Sequence, residues 1–256
     1  MVSAELLRRI ADAAAGETLP RFRSAGAVTN KDAGGFDPVT EADKEAERAI
    51  RAVIRAEFPD DGILGEEHGV ENADASRVWV IDPIDGTRAF ISGVPVWGTL
   101  VGLLDKGRAV AGLMSQPFTG ELYFATEDGA FYEGPGGPRA LTTRPTRSLA
   151  DATLFTTTPA LFRGASRDLY DRLEASVRLA RYGTDCYAFA MVAAGHADLA
   201  VEAGLQSYDI AGLIPLIEKA GGVVTTWSGG RAEGGGDVIA AANSDLHAAA
   251  LAVIGS

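Results

Sequence analysis

The run Trp79-Val-Ile-Asp-Pro-Ile-Asp-Gly-Thr87 constrains the fold of this chain more than any other stretch. An apolar strand over Val78–Ile81 runs straight into two acids, Asp82 and Asp85, with a proline between them. Proline has no N–H to give a sheet ladder and holds its own φ, so the strand is expected to stop at Pro83. Both acids then sit at the mouth of a strand. Neighbouring carboxylates repel unless a proton or cation lies between them, and a hard divalent ion held by oxygen atoms resolves that conflict. Gly86 allows close backbone approach to a ligand. Thr87 places a hydroxyl at the start of a short helix whose free amides suit a phosphate. A second reading stays open: an Asp-Pro turn in which the second acid caps that helix.

Composition narrows the partners. The 256 residues suffice for one large domain or two closely packed halves. Formal net charge is −12, a surface that repels nucleic acid and anionic membranes and so argues against both as partners. An anionic substrate on such a protein needs bound metal to screen it. The single cysteine, Cys186, permits no internal disulfide and fits a reducing compartment. The opening Met1-Val-Ser-Ala-Glu-Leu-Leu-Arg-Arg9 mixes charge among apolar residues without a signal-peptide core, and no apolar stretch approaches a membrane span. The expectation is a cytoplasmic protein.

Periodicity gives a mixed architecture. Helical spacing covers Ala4–Ala15 and is expected to end at Gly16, and Thr29–Val39 reads as a polar loop. Thr40 suits an N-cap, with Asp43 three residues on as in a capping box, for a helix over Glu41–Glu57. After the acidic run, strands at Val96–Leu104, Ala109–Gln116, Glu121–Ala125 and Ala130–Glu133 alternate with turn residues, the pattern of an antiparallel meander. The Gly/Pro run at 134–138 divides an N-terminal α+β half, 1–138, from a C-terminal α/β half, 139–256. In the latter, strands are expected at Asp151–Thr158, Val177–Tyr182, Asp198–Glu202, Val223–Trp227 and Asp237–Ala242. Helices are expected at Arg167–Ala175, Cys186–Ala194, Asp209–Ala220 and Asp245–Ile254. That alternation implies a second sheet packed with helices.

Further acids stand near element ends. Glu66 precedes the strand of Asp82, while Asp43 and Asp209 fall in the first turns of helices. Singly, each reads as a solvated acid, a cap or a helix-dipole partner. They gain meaning only if the fold gathers them at Asp82 and Asp85. His68, His196 and His247 lack zinc-ligand spacing, and Cys186 has no partner of its kind. No nucleophile elbow supports a Ser-His-Asp site. A metal here is hard and oxygen-ligated, Mg²⁺ with Mn²⁺ tolerated.

Three separated segments, Gly65-Glu-Glu67, Trp79–Thr87 and Tyr208-Asp-Ile-Ala-Gly212, resemble the signatures of the inositol monophosphatase superfamily, in order and nearly end to end. Asp37-Pro-Val-Thr-Glu-Ala-Asp43 and Gly183-Thr-Asp-Cys186 extend the resemblance. It implies an α+β fold, a five-layer αβαβα sandwich with metal where the halves meet. It also implies that Glu66, Asp82, Asp85, Asp209 and the Ile84 carbonyl hold two to three Mg²⁺ ions. By the same resemblance Thr87, Asp43 and Glu66 serve the attacking water, the amides of Gly86 and Thr87 hold phosphate, and the protein is a homodimer. The implied reaction is hydrolysis of a small phosphomonoester, which asks mainly for positioning and charge stabilisation.

The second-half loop Arg181-Tyr-Gly-Thr-Asp-Cys-Tyr187 is similar to that of histidinol-phosphate phosphatases of the inositol-phosphatase type. Inositol-preferring members carry a small residue where Asp185 stands. On that resemblance Gly183, Thr184, Asp185, Glu202 and Asp209 contact substrate, with Asp185 and Glu202 opposite the ammonium and imidazole of L-histidinol phosphate. Two readings of Asp185 remain open, substrate partner and N-cap of the following helix. Trp97 and Tyr187 likewise read either as stacking partners for an imidazole or as core. Alternative functions are an inositol 1-phosphate or broad sugar-phosphate phosphatase, a nucleoside bisphosphate phosphatase, and a catalytically silent metal-binding scaffold.

Overall fold

The structure is a computed structural model that describes residues 1–24, 28–30 and 38–255. The middle of the expected polar loop, 31–37, lies outside the described residues, and Asp37 with it. Its ends are strands: β1 (Val28–Asn30) and β2 (Pro38–Thr40) pair as an antiparallel ribbon.

Two sheets organise the chain. The first half contributes α1 (Ala4–Thr18), α2 (Glu41–Glu57), β3 (Gly62–Gly65), β4 (Gly69–Glu71), β5 (Arg77–Asp85) and α3 (Thr87–Ile91). The meander β6 (Gly98–Asp105), β7 (Arg108–Gln116), β8 (Glu121–Thr126) and β9 (Gly129–Glu133) follows, with β10 (Arg139–Ala140) at its edge, so the first sheet reaches just past the expected division at 138. These make an eight-stranded sheet in the order β10-β9-β8-β7-β6-β5-β3-β4. The second half contributes β11 (Thr153–Thr156), α4 (Ala165–Ser176), β12 (Leu179–Tyr182), α5 (Tyr187–Ala193), β13 (Leu199–Leu205), α6 (Ser207–Ile210), α7 (Ile214–Lys219), β14 (Val223–Thr226), β15 (Gly236–Ala241) and α8 (Ser244–Ile254). Its five strands run β12-β11-β13-β15-β14.

Period-2 alternation along the strands builds the layers. Trp79, Ile81, Val101, Leu103, Leu113 and Phe124 face α1 and α2 in one core. Leu100, Met114 and Tyr123, one residue out of phase, face the opposite way and pack with α5, α7 and the inner face of the second sheet. The outer face of that sheet, through Leu199, Val201 and Ile239, packs on α4 and α8. The result is the five-layer αβαβα sandwich. Among the described residues no helix is long and apolar enough to cross a membrane.

Three expectations require correction. Helix α1 runs past Gly16 to Thr18, whose hydroxyl bonds the Ala14 carbonyl; one interior glycine costs only about 1 kcal/mol. Strand β5 does not stop at Pro83. It resumes at Asp85 after a bulge, because Asp82 pairs with Leu100 and Asp85 with Gly98, leaving Pro83 and Ile84 opposite Thr99 alone. The Thr99 hydroxyl donates to the Pro83 carbonyl at 2.8 Å, anchoring the bulge. Finally, Asp209–Ala220 is two helices, α6 and α7, not one.

The break between them has a steric cause. Gly102 and Gly112 pair across β6 and β7 and leave a notch that the Ala211-Gly212 backbone enters. A Cβ on Gly102 would lie 2.6 Å from the Ala211 carbonyl carbon, and one on Gly212 would lie 2.7 Å from the Val101 oxygen. This contact carries α6, and therefore Asp209, onto the first sheet. Replacing Gly112 by Ala, whose Cβ would run into the Gly212 carbonyl, is expected to destabilise the fold by about 1–3 kcal/mol. Denaturant unfolding checks this, and an unchanged midpoint would refute the notch.

Candidate active site

The acids come together. Strand β3 lies parallel to β5 with Gly65 beside Ile81, and the Glu66 amide donates to the Ile81 carbonyl at 3.1 Å. Register alone therefore sets Glu66 beside Asp82. The β5 bulge turns Asp82 and Asp85 toward the same side, and α6 delivers Asp209. Asp82, Asp85 and Asp209 each present a carboxylate oxygen within 4.8 Å of the other two. Glu66 is outside that tight trio, yet its charge raises the pKa of Asp82, Asp209 and Asp43.

The aspartates are also tied to backbone. Asp82 accepts the Ile84 N–H at 3.0 Å and Asp85 the Cys186 N–H at 2.8 Å. Asp209 accepts the Gln206 N–H at 2.7 Å. Asp43 closes the expected capping box, its Oδ2 taking the Thr40 amide at 2.8 Å. Its other oxygen, Oδ1, is buried and finds no hydrogen-bond partner. The Thr87 hydroxyl donates to the Ile84 carbonyl at 3.1 Å, and Gly86, at φ +81°, starts α3.

Electrostatics state the problem the site has to solve. Burial, then the charges of Glu66, Asp85 and Asp209, push Asp82 well above the usual carboxylate range. Burial and Asp209 do the same to Asp85. Asp209 is pushed up to about 6, mainly by burial. Like charges set this close in a largely enclosed site are what a hard divalent cation neutralises, and an all-oxygen donor set suits Mg²⁺ or Mn²⁺.

Beside this cup, on the second half, lies a further pair. Glu202 is 3% exposed, and its Oε1 accepts the Thr157 N–H at 2.5 Å. Asp185, in left-handed backbone at φ +42°, lies close enough to the Thr157 side chain for it to temper the rise that burial imposes on the Asp185 pKa. A Cβ on Gly86 would lie 3.1 Å from the Asp185 side chain, so the glycine makes room for it. Burial raises Glu202 to about 7, with Asp185 adding to the shift. The Thr184 hydroxyl is buried without a partner, and Gly183 occupies φ +72°.

The capping reading of Asp185 is corrected here. Helix α5 begins after Cys186, and its free amide is taken by Asp85 from the other half. Neither aromatic residue stacks at the site. Trp97 packs fully buried against Phe22 and Phe90, and the Tyr187 hydroxyl bonds Glu121 and Thr119. Sequence reasoning missed Thr157, Arg88, whose charge lowers the Asp185 pKa, and Glu47, which lies beneath Glu66. For Glu47 a signal existed: Asp43, Glu47 and Arg51 form an i, i+4, i+8 polar row beside the apolar row Ala42, Ala46, Ile50 and Ile54.

A model of the inositol monophosphatase family matches residues 4–255. The chain is 39% identical over 256 residues to the bifunctional phosphatase IMPL2, chloroplastic, of Arabidopsis thaliana, covering 93% of this chain and 71% of that protein. It is 38% identical over 221 residues to a histidinol-phosphatase of Chlorobaculum parvum, with 86% and 84% covered. A solved inositol monophosphatase of Zymomonas mobilis superposes with a TM-score of 0.87 at 38% identity over 100% of both chains. Two sheets joined over a carboxylate cup thus define a metal-dependent phosphatase of small phosphomonoesters. The chain belongs to the inositol monophosphatase family.

An acid whose folded-state pKa exceeds its unfolded value weakens the fold as pH rises past the unfolded value. From this cluster, metal-free stability is therefore expected to fall from about pH 4, with Asp209 completing its share near 6. Saturating Mg²⁺ is expected to abolish the fall. At pH 7, Asp85→Asn should raise the metal-free melting temperature by a few degrees, roughly 2–4 °C per kcal/mol, and remove most of the Mg²⁺-induced rise. Thermal melts with Mg²⁺ and with chelator test both points. Undiminished Mg²⁺ stabilisation of the variant would contradict the site.

Proposed function

We propose that this chain hydrolyses L-histidinol phosphate to L-histidinol and phosphate, acting in the cytoplasm as a homodimer. The observation that carries the substrate is the Asp185–Thr157–Glu202 group beside the acid cup. Two carboxylates gathered around one threonine, Glu202 buried and Asp185 half-buried, match an ammonium and an imidazole at one end of a substrate whose phosphate faces the cup. Likeness to the Chlorobaculum histidinol-phosphatase supports the same reading.

In this reading Glu66, Asp82, Asp85, Asp209 and the Ile84 carbonyl would hold two to three Mg²⁺ ions. Mg²⁺ held there would supply a lowered pKa for the attacking water and charge to offset the leaving alkoxide. Asp43, through its unpartnered Oδ1, accepts a proton from that water, and the Thr87 hydroxyl orients it. The amides of Gly86 and Thr87 receive phosphate oxygens. Gly183 and Thr184 line the leaving-group side, where the free Thr184 hydroxyl is available to a substrate polar atom. A second reading, inositol 1-phosphate as substrate, is favoured by the likeness to the Zymomonas inositol monophosphatase.

A phosphate-release assay on both substrates, with Mg²⁺ and with chelator, separates the two. Histidinol phosphate is expected to have the higher kcat/KM, and chelator to stop turnover of either. Asp185→Ala should raise KM for histidinol phosphate about 10- to 100-fold, the worth of a charged hydrogen bond, and leave a neutral-alcohol phosphomonoester nearly unchanged. Equal losses on both substrates would count against the cation-binding role.

A further inference from the structure

Glu47 is fully buried on α2, and its partners lie on the segment that carries Glu66. Its carboxylate accepts the Glu67 amide at 2.7 Å and the His68 amide at 3.2 Å, and the Arg51 Nε at 2.7 Å. Arg51 in turn bonds the Gly69 carbonyl and reaches Glu71 at 3.3 Å. A Cβ on Gly65 would collide with the Glu47 carboxylate, so the last residue of β3 is empty where this acid enters. Glu66 is thereby held from both sides. Its own N–H is on the Ile81 carbonyl, and the amide that follows it is on Glu47.

A buried ion pair is a poor way to gain stability, because desolvation offsets most of the attraction. Leucine or methionine at these positions would hold α2 to the sheet as well. An apolar side chain has no acceptor for the Glu67 and His68 amides. Those bonds fix the peptide plane on which the direction of the Glu66 side chain depends. From this geometry we propose that Glu47, paired with Arg51, is a positioning residue that aims the Glu66 carboxylate at the metal cup. The inference rests on the reading of Glu66 as a metal ligand.

A double-mutant cycle on the full-length chain, read by calorimetric titration of the apo protein with Mg²⁺, tests it. Glu66→Ala alone is expected to weaken Mg²⁺ binding. Glu47→Gln alone is expected to raise the Mg²⁺ dissociation constant about tenfold, in the range seen when groups supporting a metal ligand are removed. In the Glu66→Ala background, Glu47→Gln should have no further effect. Melting temperatures and circular dichroism run alongside, and Gly65→Ala, which crowds the same carboxylate, provides a second variant should Glu47→Gln fold poorly. It is expected to weaken Mg²⁺ binding only when Glu66 is present. Unchanged Mg²⁺ affinity in Glu66→Ala would sink the ligand reading and the inference with it. Weakened binding in Glu66→Ala but normal affinity in folded Glu47→Gln or Gly65→Ala would overturn the inference alone. Equal effects in both backgrounds would likewise assign Glu47 a purely structural role.

Discussion

Asp82, Asp85 and Asp209 share one cup, with Glu66 and Asp43 near enough for their charges to act on Asp82, and this mutual repulsion is the constraint around which the two sheets are arranged. Left bare, such a cluster favours protonation over charge, as the raised pKa values of Asp82, Asp85 and Asp209 show. The fold answers with backbone amides. Ile84, Cys186, Gln206 and Thr40 each give an N–H to one of Asp82, Asp85, Asp209 and Asp43. One oxygen of each of these aspartates is thereby anchored, and the trio's carboxylates approach one another within 4.8 Å. These hydrogen bonds come from the protein alone and contribute the preorganisation that electrostatic catalysis requires.

One of these ties, and one backbone contact, cross long stretches of sequence and join the two sheets. The Asp85 carboxylate takes the amide at the start of α5, so one acid serves both the cup and the substrate-side loop. Gly102, Gly112 and Gly212 let backbone meet backbone, and that contact sets Asp209 against the first sheet. Cavities are costly in such packing and bulk is no better tolerated. The glycines therefore matter to the chemistry although none bears a functional group.

Much of this was legible locally. The Thr40–Asp43 capping box involves residues three apart, and it forms as the spacing predicts. The meander strands alternate their side chains between two cores because one face meets α1 and α2 and the other meets α5 and α7. The paired acids Asp82 and Asp85 point to a cation because neighbouring carboxylates repel unless one lies between them. What stayed hidden depends on distant partners. Strand β5 survives Pro83 because the Thr99 hydroxyl anchors its bulge. The α6–α7 break needs a notch on β6 and β7 about which 209–220 carries no sign beyond Gly212. Asp185 sits two residues before α5, where a cap is plausible, but the vacancy is filled by Asp85 from another sheet. Thr157 acquires its place only when β11 is laid beside β13.

Crystals grown with Mn²⁺ and examined by anomalous scattering test the central claim most directly. Anomalous peaks bridging the carboxylates of Asp82, Asp85 and Asp209, with Glu66 completing the shell of at least one, are what the account predicts. A cup that stays metal-free at saturating Mn²⁺, its acids sharing protons instead, would contradict it.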